Sequence, residues 1–179
     1  DELTLTVSGN DSVTVDIVDF AVTFGSVQDW NGIETLTFTI DDLHGRAIAE
    51  DSLDIVVTPV NDSPVLAVIA DTSTAEDTQL VLMLEASDVD GDSLTFSAVS
   101  DNPDNVAAEV SENQLTLTPT ENWNGAVNIS VTVSDGELED SEVFELTVNP
   151  VNDAPTIELP ESFTFAEDGS FIDDFSGYV

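Results

Sequence analysis

Apolar and polar residues alternate along most of this chain. Within separate runs of residues 61–151, apolar side chains recur at every second position, and Thr, Ser and Glu fill many of the positions between them. A period of two residues predicts β-strands that bury one face and expose the other. Short strands separated by Gly, Asn and Asp are typical of a β-sandwich. The predicted fold class is therefore all-β, built from tandem seven-stranded Greek-key β-sandwich repeats with little helix. The seven expected strands of the complete unit are 65–69, 79–86, 94–100, 105–110, 114–118, 126–134 and 140–149.

A six-residue phrase marks the ends of these units. It reads Pro-Val-Asn-Asp-Ser-Pro at residues 59–64 and Pro-Val-Asn-Asp-Ala-Pro at residues 150–155, so the two copies start 91 residues apart (150 − 59). Each copy lies between one alternating apolar run and the next. Proline cannot donate a hydrogen bond to a sheet, and it restricts the preceding residue to extended geometry. The phrase therefore predicts a short, stiff connector, and its fixed interval indicates tandem modules.

Other phrases recur at about the same interval and divide the chain further. Trp-Asn-Gly occurs at 30–32 and 123–125, and Ala-Glu-Asp occurs at 75–77 and 166–168. We therefore expect one complete repeat between two partial ones, as in a piece of a longer array. The predicted parts are the C-terminal two-thirds of a repeat at 1–60, a complete repeat at 61–151, and the N-terminal part of the next repeat at 152–179.

The charge balance excludes several classes of partner. The chain has 38 acidic residues against a single basic one, Arg46, and its formal net charge is −37. Nucleic-acid binding needs basic side chains at phosphates, and an anionic membrane surface would repel this chain. The apolar content of 41% is too high for a disordered acidic tail. Self-repulsion at this charge has to be offset by salt or bound cations, which favours a saline or calcium-containing exterior.

Acidic side chains recur in the predicted loops, where they could bind a metal ion. They include Glu76, Asp88 and Asp90 in Asp-Val-Asp-Gly-Asp, Asp135 in Ser-Asp-Gly, and the Asn-Asp pairs of the connectors. Loops at one end of a sandwich converge, and six to eight oxygens at about 2.3–2.6 Å form a calcium site. The alternative is that each carboxylate is only a solvated loop charge. An EF-hand is excluded, because the twelfth residue of that loop would be Val99 rather than Glu.

The order of these phrases resembles a known family. A Glu, an Asp-x-Asp, a later Asp and an Asn-Asp-x-Pro connector follow one another in the same order as in the cadherin repeat. Val-Asn-Asp-Ala-Pro, Asn-Trp-Asn-Gly and Val-Ser-Asp-Gly resemble more specifically the cadherin-like tandem repeats of large bacterial surface adhesins. The resemblance covers nearly the whole chain, and it implies Ca²⁺ ions at the joints between repeats.

The resemblance also implies a set of calcium ligands for each joint. At the joint near residue 62 the set comprises the Val60 and Ser63 carbonyls and the side chains of Asp29, Asn61, Asp62, Asp88, Asp90 and Asp135. At the joint near residue 153 it comprises Glu76, Asn122, Asn152 and Asp153, and its Asp-x-Asp partner would come after Val179. Pro59 and Pro150 replace the first Asp of a cadherin connector, and Asn122 replaces a Glu. We therefore expect fewer ions per joint than in a cadherin.

Catalysis is not expected, so the chain is predicted not to be an enzyme. His44 is the only histidine and cysteine is absent, which leaves no set of side chains for a catalytic triad or a zinc site. Paired carboxylates occur in glycosidases, but here they recur at module spacing, as structural ligands do. Trp30 and Trp123 could stack on sugars, although one tryptophan at a fixed place in each sandwich is more often a core or loop anchor.

Three functional hypotheses follow. The first is a calcium-binding structural repeat of an extracellular, bacterial adhesin or surface stalk, which contacts neighbouring repeats and serves cell adhesion or biofilm formation. The second is a module that binds a glycan or a host-surface protein. The third is a head-to-tail filament in which residues 152–179 of one chain donate strands to the partial sandwich at 1–60 of the next. A simple cut from a longer array is the plainer alternative to the third hypothesis.

Overall fold

The structure is a computed structural model that describes residues 3–42 and 48–178. Regular structure in these residues is almost entirely β-strand, and helix is limited to the 3-10 turn Phe175–Tyr178. The all-β prediction is confirmed. The described residues include no helix with the length and hydropathy needed to cross a membrane. His44 and Arg46 lie outside the described residues.

The first unit contains five strands in two sheets. Strands β1, β4 and β5 form one sheet in the order β1-β4-β5, and β2 pairs with β3. Every pair in this unit is antiparallel. Strand β5 is therefore an edge strand of its sheet in the part of the chain that the structure describes. The strands are β1 (Thr4–Ser8), β2 (Val13–Val18), β3 (Ala21–Ser26), β4 (Gly32–Asp41) and β5 (Ile48–Val57).

The central unit, residues 61–151, contains nine strands. They are β6 (Val65–Leu66), β7 (Thr72–Ala75), β8 (Leu80–Met83), β9 (Ala86–Ser87), β10 (Thr95–Ser100), β11 (Val106–Ser111), β12 (Gln114–Pro119), β13 (Gly125–Ser134) and β14 (Glu139–Asn149). One sheet has the order β10-β13-β14-β7 and another the order β11-β12-β8, while β6 pairs with β9. Sheet neighbours that are distant in sequence are characteristic of a Greek-key sandwich.

The first two expected strands differ from the structure because the chain changes sheets there. The strand expected at 65–69 ends at Leu66, and a further strand, β7, follows and pairs in parallel with β14. The strand expected at 79–86 is divided into β8, which pairs with β12, and β9, which pairs with β6. Nine strands therefore replace the predicted seven. The other five predicted strands agree with β10–β14 to within one residue at each end.

The hydrophobic core of the central unit draws on both sheets. Its largest side chain, Phe144, is 1% exposed, and Ile129 on β13 is fully buried. Burying one such side chain stabilises a domain by about 1.5–3 kcal/mol. The inward residues are the apolar members of the period-two pattern, as expected. The cluster comprises Leu66, Leu84, Val106, Leu115, Leu117, Val127, Ile129, Val131, Val133, Phe144, Leu146 and Val148.

The five strands of the first unit reproduce the last five strands of the central unit. Strands β2, β3 and β4 have the same bounds as β11, β12 and β13 when 93 is added to their residue numbers. Strand β5 ends at Val57, and adding 91 to that number gives Val148, one residue before the end of the equivalent strand β14. The turns agree as well, because left-handed residues fall at equivalent places: Asp29 has φ 59° and Asn122 has φ 58°. Asp and Asn tolerate this conformation better than most residues.

The C-terminal segment forms a small aromatic cluster. The ring of Phe163 lies 5.2 Å from that of Phe171 and 6.0 Å from that of Phe175, between centroids. The Glu158 amide donates to the Tyr178 carbonyl at 2.8 Å. No β-strand is present in residues 152–178, although they align with β6 to β8 of the central unit.

Candidate metal centre at the joint between units

The Asp-Val-Asp-Gly-Asp loop is folded around one carboxylate oxygen. Oδ1 of Asp88 accepts hydrogen bonds from the amides of Asp90 at 2.9 Å, Gly91 at 3.0 Å and Asp92 at 3.3 Å. Gly91 has φ 79°, which favours glycine at the bend of the turn. The carboxylates of Asp88, Asp90 and Asp92 each place one oxygen within 4.8 Å of the others. The backbone of this loop therefore holds three acidic side chains close together.

The second oxygen of Asp88 is the unusual one. Oδ2 is buried and accepts no hydrogen bond, and it is the only side-chain nitrogen or oxygen of this kind among the described residues. A buried carboxylate oxygen without a donor is costly unless a cation or a donor compensates it.

The connector is joined to the same place by two hydrogen bonds. The Asp62 amide donates to Oδ2 of Asp90 at 2.8 Å, and Nδ2 of Asn61 donates to Oδ2 of Asp135 at 2.9 Å. Oδ1 of Asp135 accepts from the amides of Glu137 and Leu138, both at 2.7 Å. The backbone hydrogen bonds from Leu138 and Glu137, followed by that from Asn61, lower the pKa of Asp135. These hydrogen bonds therefore favour the ionised form of Asp135.

The Asp62 carboxylate is repelled by other carboxylates at the joint. Desolvation is the largest cause that raises its pKa, and the negative charges of Asp29, Asp90 and Asp88 raise it further. Asp29 comes from the turn before β4 of the first unit, whereas Asp88 and Asp90 belong to the central unit. Asp29 and Asp62 together line two clefts at the joint, one with Asp90 and one with Asp88. The joint therefore brings carboxylates of both units together, and none of the residues described there carries a positive side chain.

The structure thus brings together the six side chains predicted for the first joint. Two residues outside that prediction join them: Asp92 in the loop cluster, and Glu137, which lines a cleft with Asn61, Asp90 and Asp135. The sequence signal for Asp92 was available, because it is the third acidic residue of an alternating Asp-x-Asp-x-Asp run. Glu137 carries no comparable signal in the sequence.

The second joint is less complete. Glu76 is 4% exposed, and its Oε1 accepts from the Val151 amide at 2.6 Å while its Oε2 accepts from Nδ2 of Asn124 at 3.3 Å. The Asn122 amide donates to Asp77 at 2.9 Å, beside Glu76 in sequence.

The connector residues of this joint are outside that arrangement. Asn152 and Asp153 are both exposed, and Nδ2 of Asn152 donates to the Asp153 carbonyl at 3.2 Å. The calcium ligand set predicted for this joint stays a prediction.

The repeated Trp-Asn-Gly phrase anchors the strand that follows it. A Cβ on Gly125 would lie 2.9 Å from Cζ2 of Trp123, and φ of Gly125 is 154°. Gly32 and Trp30 repeat this approach in the first unit. Trp123 packs against the hydrophobic core, which agrees with a core or loop anchor rather than a platform for sugars.

The sequence of residues 60–149 matches the cadherin-like domain family. The chain belongs to this family. Its recognition from the order of acidic phrases is therefore confirmed. The matched residues coincide closely with the central unit and include residues 60–64 of the first connector, the Asp88 loop and Glu76. No curated protein matches the chain.

The cadherin-like chain aligns with several solved structures. Human protocadherin-24 EC1-2 aligns with a TM-score of 0.55 and 16% identity over 87% of this chain and 84% of that one. The extracellular cadherin domains 1-5 of protocadherin gamma B2 align with a TM-score of 0.49 and 13% identity, over 86% of this chain and 34% of that one. An endo-fucoidan hydrolase of glycoside hydrolase family 107 aligns with a TM-score of 0.42 and 20% identity, over 84% of this chain. The chain spans about a quarter of the length of that enzyme, 24%.

Proposed function

We propose that the joint between the first and central units binds Ca²⁺ and that the ion holds the two cadherin-like units in a fixed relation, as part of an extracellular adhesion-type array. The role proposed for the chain is structural, and no catalytic step is assigned to it. The carboxylates at the joint serve as ligands for the ion in this proposal.

The buried, unpartnered Oδ2 of Asp88 is the observation that carries the proposal. Its partner atom Oδ1 is fully used by three amides, so the turn fixes the carboxylate and leaves the other oxygen available to a cation. Calcium accepts six to eight oxygen ligands at about 2.3–2.6 Å in flexible geometry. Among the described residues, the side chains at this joint offer oxygen atoms as ligands, which suits a hard cation rather than zinc or copper.

The negative charge of the joint supports a cation bound by residues of both units. Asp29 belongs to the first unit and Asp88 to the central unit, and the negative charges of both raise the pKa of Asp62 on the connector between them. Without a cation these charges favour separation of the units. A divalent ion bound by residues of both units replaces that repulsion with attraction and orders the connector.

The expected affinity is modest. Extracellular calcium modules bind with dissociation constants of about 10⁻⁴–10⁻³ M. Calcium at about 1 mM is about one to ten times such a constant and stabilises the folded state by about 0.4–1.4 kcal/mol. A measurable rise in melting temperature is therefore expected at millimolar calcium.

Calcium titration by calorimetry, with thermal melting in calcium and in chelator, tests the proposal. Asp88→Asn removes one ligand charge and should weaken binding by at least about tenfold, which corresponds to about 1.4 kcal/mol. Asp16→Asn on the exposed face of β2 is the matched control, because it removes the same charge away from the joint. Wild-type melting that is identical in calcium and chelator, or equal binding by both variants, would contradict the proposal.

A further inference from the structure

A parallel strand pair links the two connectors of the central unit. Strand β7 pairs in parallel with β14, from Leu146↔Thr72 to Asn149↔Ala75. The chain reaches β7 from the first connector through the short strand β6, and it leaves β14 directly into the second connector. Among the strand pairs of residues 61–151, which are all described, only this one joins a strand near the first connector to the strand before the second. A pull on the two connectors therefore reaches this pair from both sides.

Hydrogen bonds outside the ladder lengthen this pair at both ends. At its start, Oδ1 of Asp71 accepts from the Glu145 amide at 2.8 Å. At its end, Oε1 of Glu76 accepts from the Val151 amide at 2.6 Å, so the second connector is tied to the end of β7. The enlarged contact, which we call the terminal pair, joins residues 71–76 to residues 145–151.

The terminal pair is closed further by its own backbone and by the core. The Glu76 amide donates to the Asn149 carbonyl at 2.8 Å, and Nδ2 of Asn149 donates to the Thr74 carbonyl at 3.1 Å. Leu146 is fully buried, and Val148 is 2% exposed. A hydrogen bond in such surroundings is stronger than one in water. The contact is therefore continuous and shielded along one side.

The two connectors lie at opposite ends of the unit. Nδ2 of Asn61 in the first connector donates to Asp135, which directly follows β13. Glu76, which holds the second connector, accepts from Asn124, which directly precedes β13. The ten residues of β13 extend over about 30 Å. Tension between the connectors therefore acts along the strands.

Tension in this direction loads the terminal pair in shear. Strands β7 and β14 run in the same direction, so force enters β7 at its first residue and β14 at its last. The two strands are then pulled past each other, and all the hydrogen bonds between them carry load at once. Two strands pulled apart from the same end would instead lose their hydrogen bonds one after another.

We propose that the terminal pair is the load-bearing element of this cadherin-like unit and that it breaks before the core opens under tension. Glu76 strengthens it by holding the second connector against β7. Strand β6 adds little resistance, because only Val65 and Leu66 pair with β9. This mechanical function goes beyond the proposed calcium site, and it does not depend on a bound ion.

Single-molecule pulling of the full chain tests the proposal. The chain has no cysteine, so Thr58→Cys and Ala154→Cys attach handles at exposed residues on either side of the central unit. The handles span 96 residues (154 − 58), and complete unfolding between them should release about 300 Å of chain. Chelator is present throughout, so that calcium contributes nothing to the measured resistance.

Handles at Thr58→Cys and Glu139→Cys give the control direction. Glu139 is the exposed first residue of β14, so force then enters β7 and β14 from the same end of the unit. The terminal pair is peeled open rather than sheared. The unit should therefore unfold faster at the same force, since forced unfolding is governed by the unfolding rate. Equal unfolding rates in the two directions would overturn the proposal.

Single substitutions test the hydrogen bonds of the terminal pair. Pulled from Thr58 and Ala154, Glu76→Ala should unfold about tenfold faster at constant force, because a hydrogen bond to a charged acceptor is lost from the loaded contact. Asp71→Ala removes the bond at the other end and should act in the same direction. Glu76→Gln keeps an acceptor for the Val151 amide and should restore most of the resistance.

A matched substitution away from the terminal pair separates load from general stability. Nδ2 of Asn113 donates to the Leu84 carbonyl at 3.2 Å, far from the second connector. Asn113→Ala should lower the melting temperature but leave the unfolding rate under force nearly unchanged. An acceleration equal to that of Glu76→Ala and Asp71→Ala would show that these variants act through stability alone, and it would overturn the load-bearing assignment.

The result is independent of the calcium proposal. Calorimetry without calcium binding would refute the calcium site and leave the resistance measured in chelator as it stands. Calcium binding together with equal unfolding rates in the two pulling directions would refute the load-bearing pair and leave the calcium site intact.

Discussion

Glu76 allows the energy of a buried carboxylate to be measured apart from the ligand role predicted for it. The side chain is 4% exposed, and it accepts hydrogen bonds from the Val151 amide at 2.6 Å and from Asn124 at 3.3 Å. Glu76→Ala removes both bonds and leaves the Val151 amide without this acceptor. A hydrogen bond to a charged group contributes about 1.5–3 kcal/mol, so we expect a loss of about 2–3 kcal/mol in chelator.

Glu76→Gln should behave differently in chelator and in calcium. Glutamine keeps an oxygen that can accept from Val151, so the loss in chelator should be about 1 kcal/mol or less. If Glu76 also ligates calcium at the second joint, this variant should lose calcium stabilisation there. Comparing the two variants therefore separates hydrogen bonding from metal binding.

Tryptophan fluorescence provides a suitable assay. Trp123 packs against the core of the central unit, and Trp30→Phe removes the only other tryptophan. Thermal melting in this background reports the central unit, and a loss of 2 kcal/mol lowers the melting temperature of a domain of this size by about 8–16 °C. Glu109→Ala, on the exposed face of β11 in the same unit, is the matched control. A Glu76→Ala variant that melts within about 2 °C of its parent would refute the reasoning.

Two further predictions concern the first joint and the tryptophan anchor. Burial, followed by the negative charges of Asp29, Asp90 and Asp88, raises the pKa of Asp62. Ionisation of Asp62 therefore opposes folding in chelator. Stability in chelator should therefore increase as the pH falls from 7 through this raised pKa, and the Asp62→Asn difference should disappear at low pH. Asp62→Asn should stabilise the chain in chelator at pH 7 and weaken calcium binding, as melting and calorimetry would show; equal changes in both conditions would contradict this. Gly125→Ala should cost about 1–3 kcal/mol by urea unfolding, because its Cβ would contact Trp123 at φ 154°, whereas a Cβ on Gly177 would meet nothing within 4 Å; equal costs at the two glycines would refute the packing argument.

The site could be anticipated from the sequence to the extent that it depends on local phrases. Asp88 and Asp90 form a turn whose hydrogen bonds span only a few residues, and such turns are encoded locally. The connector could be identified because its prolines restrict the backbone. The pairing of Asn61 with Asp135, 74 residues away, required the order of phrases in a family as a guide.

The period-two pattern by itself determined the class of fold, the place of five strands and the inward residues, because alternation is a local property of an extended chain. The 91-residue interval predicted the division into units. Only the tertiary structure decided that the first strand of the central unit is shared between sheets, because the parallel pairing of β7 with β14 is non-local. It also decided that one oxygen of Asp88 is buried without a donor. Burial of a single atom depends on how separate loops pack together, and no spacing of residues along the chain specifies that.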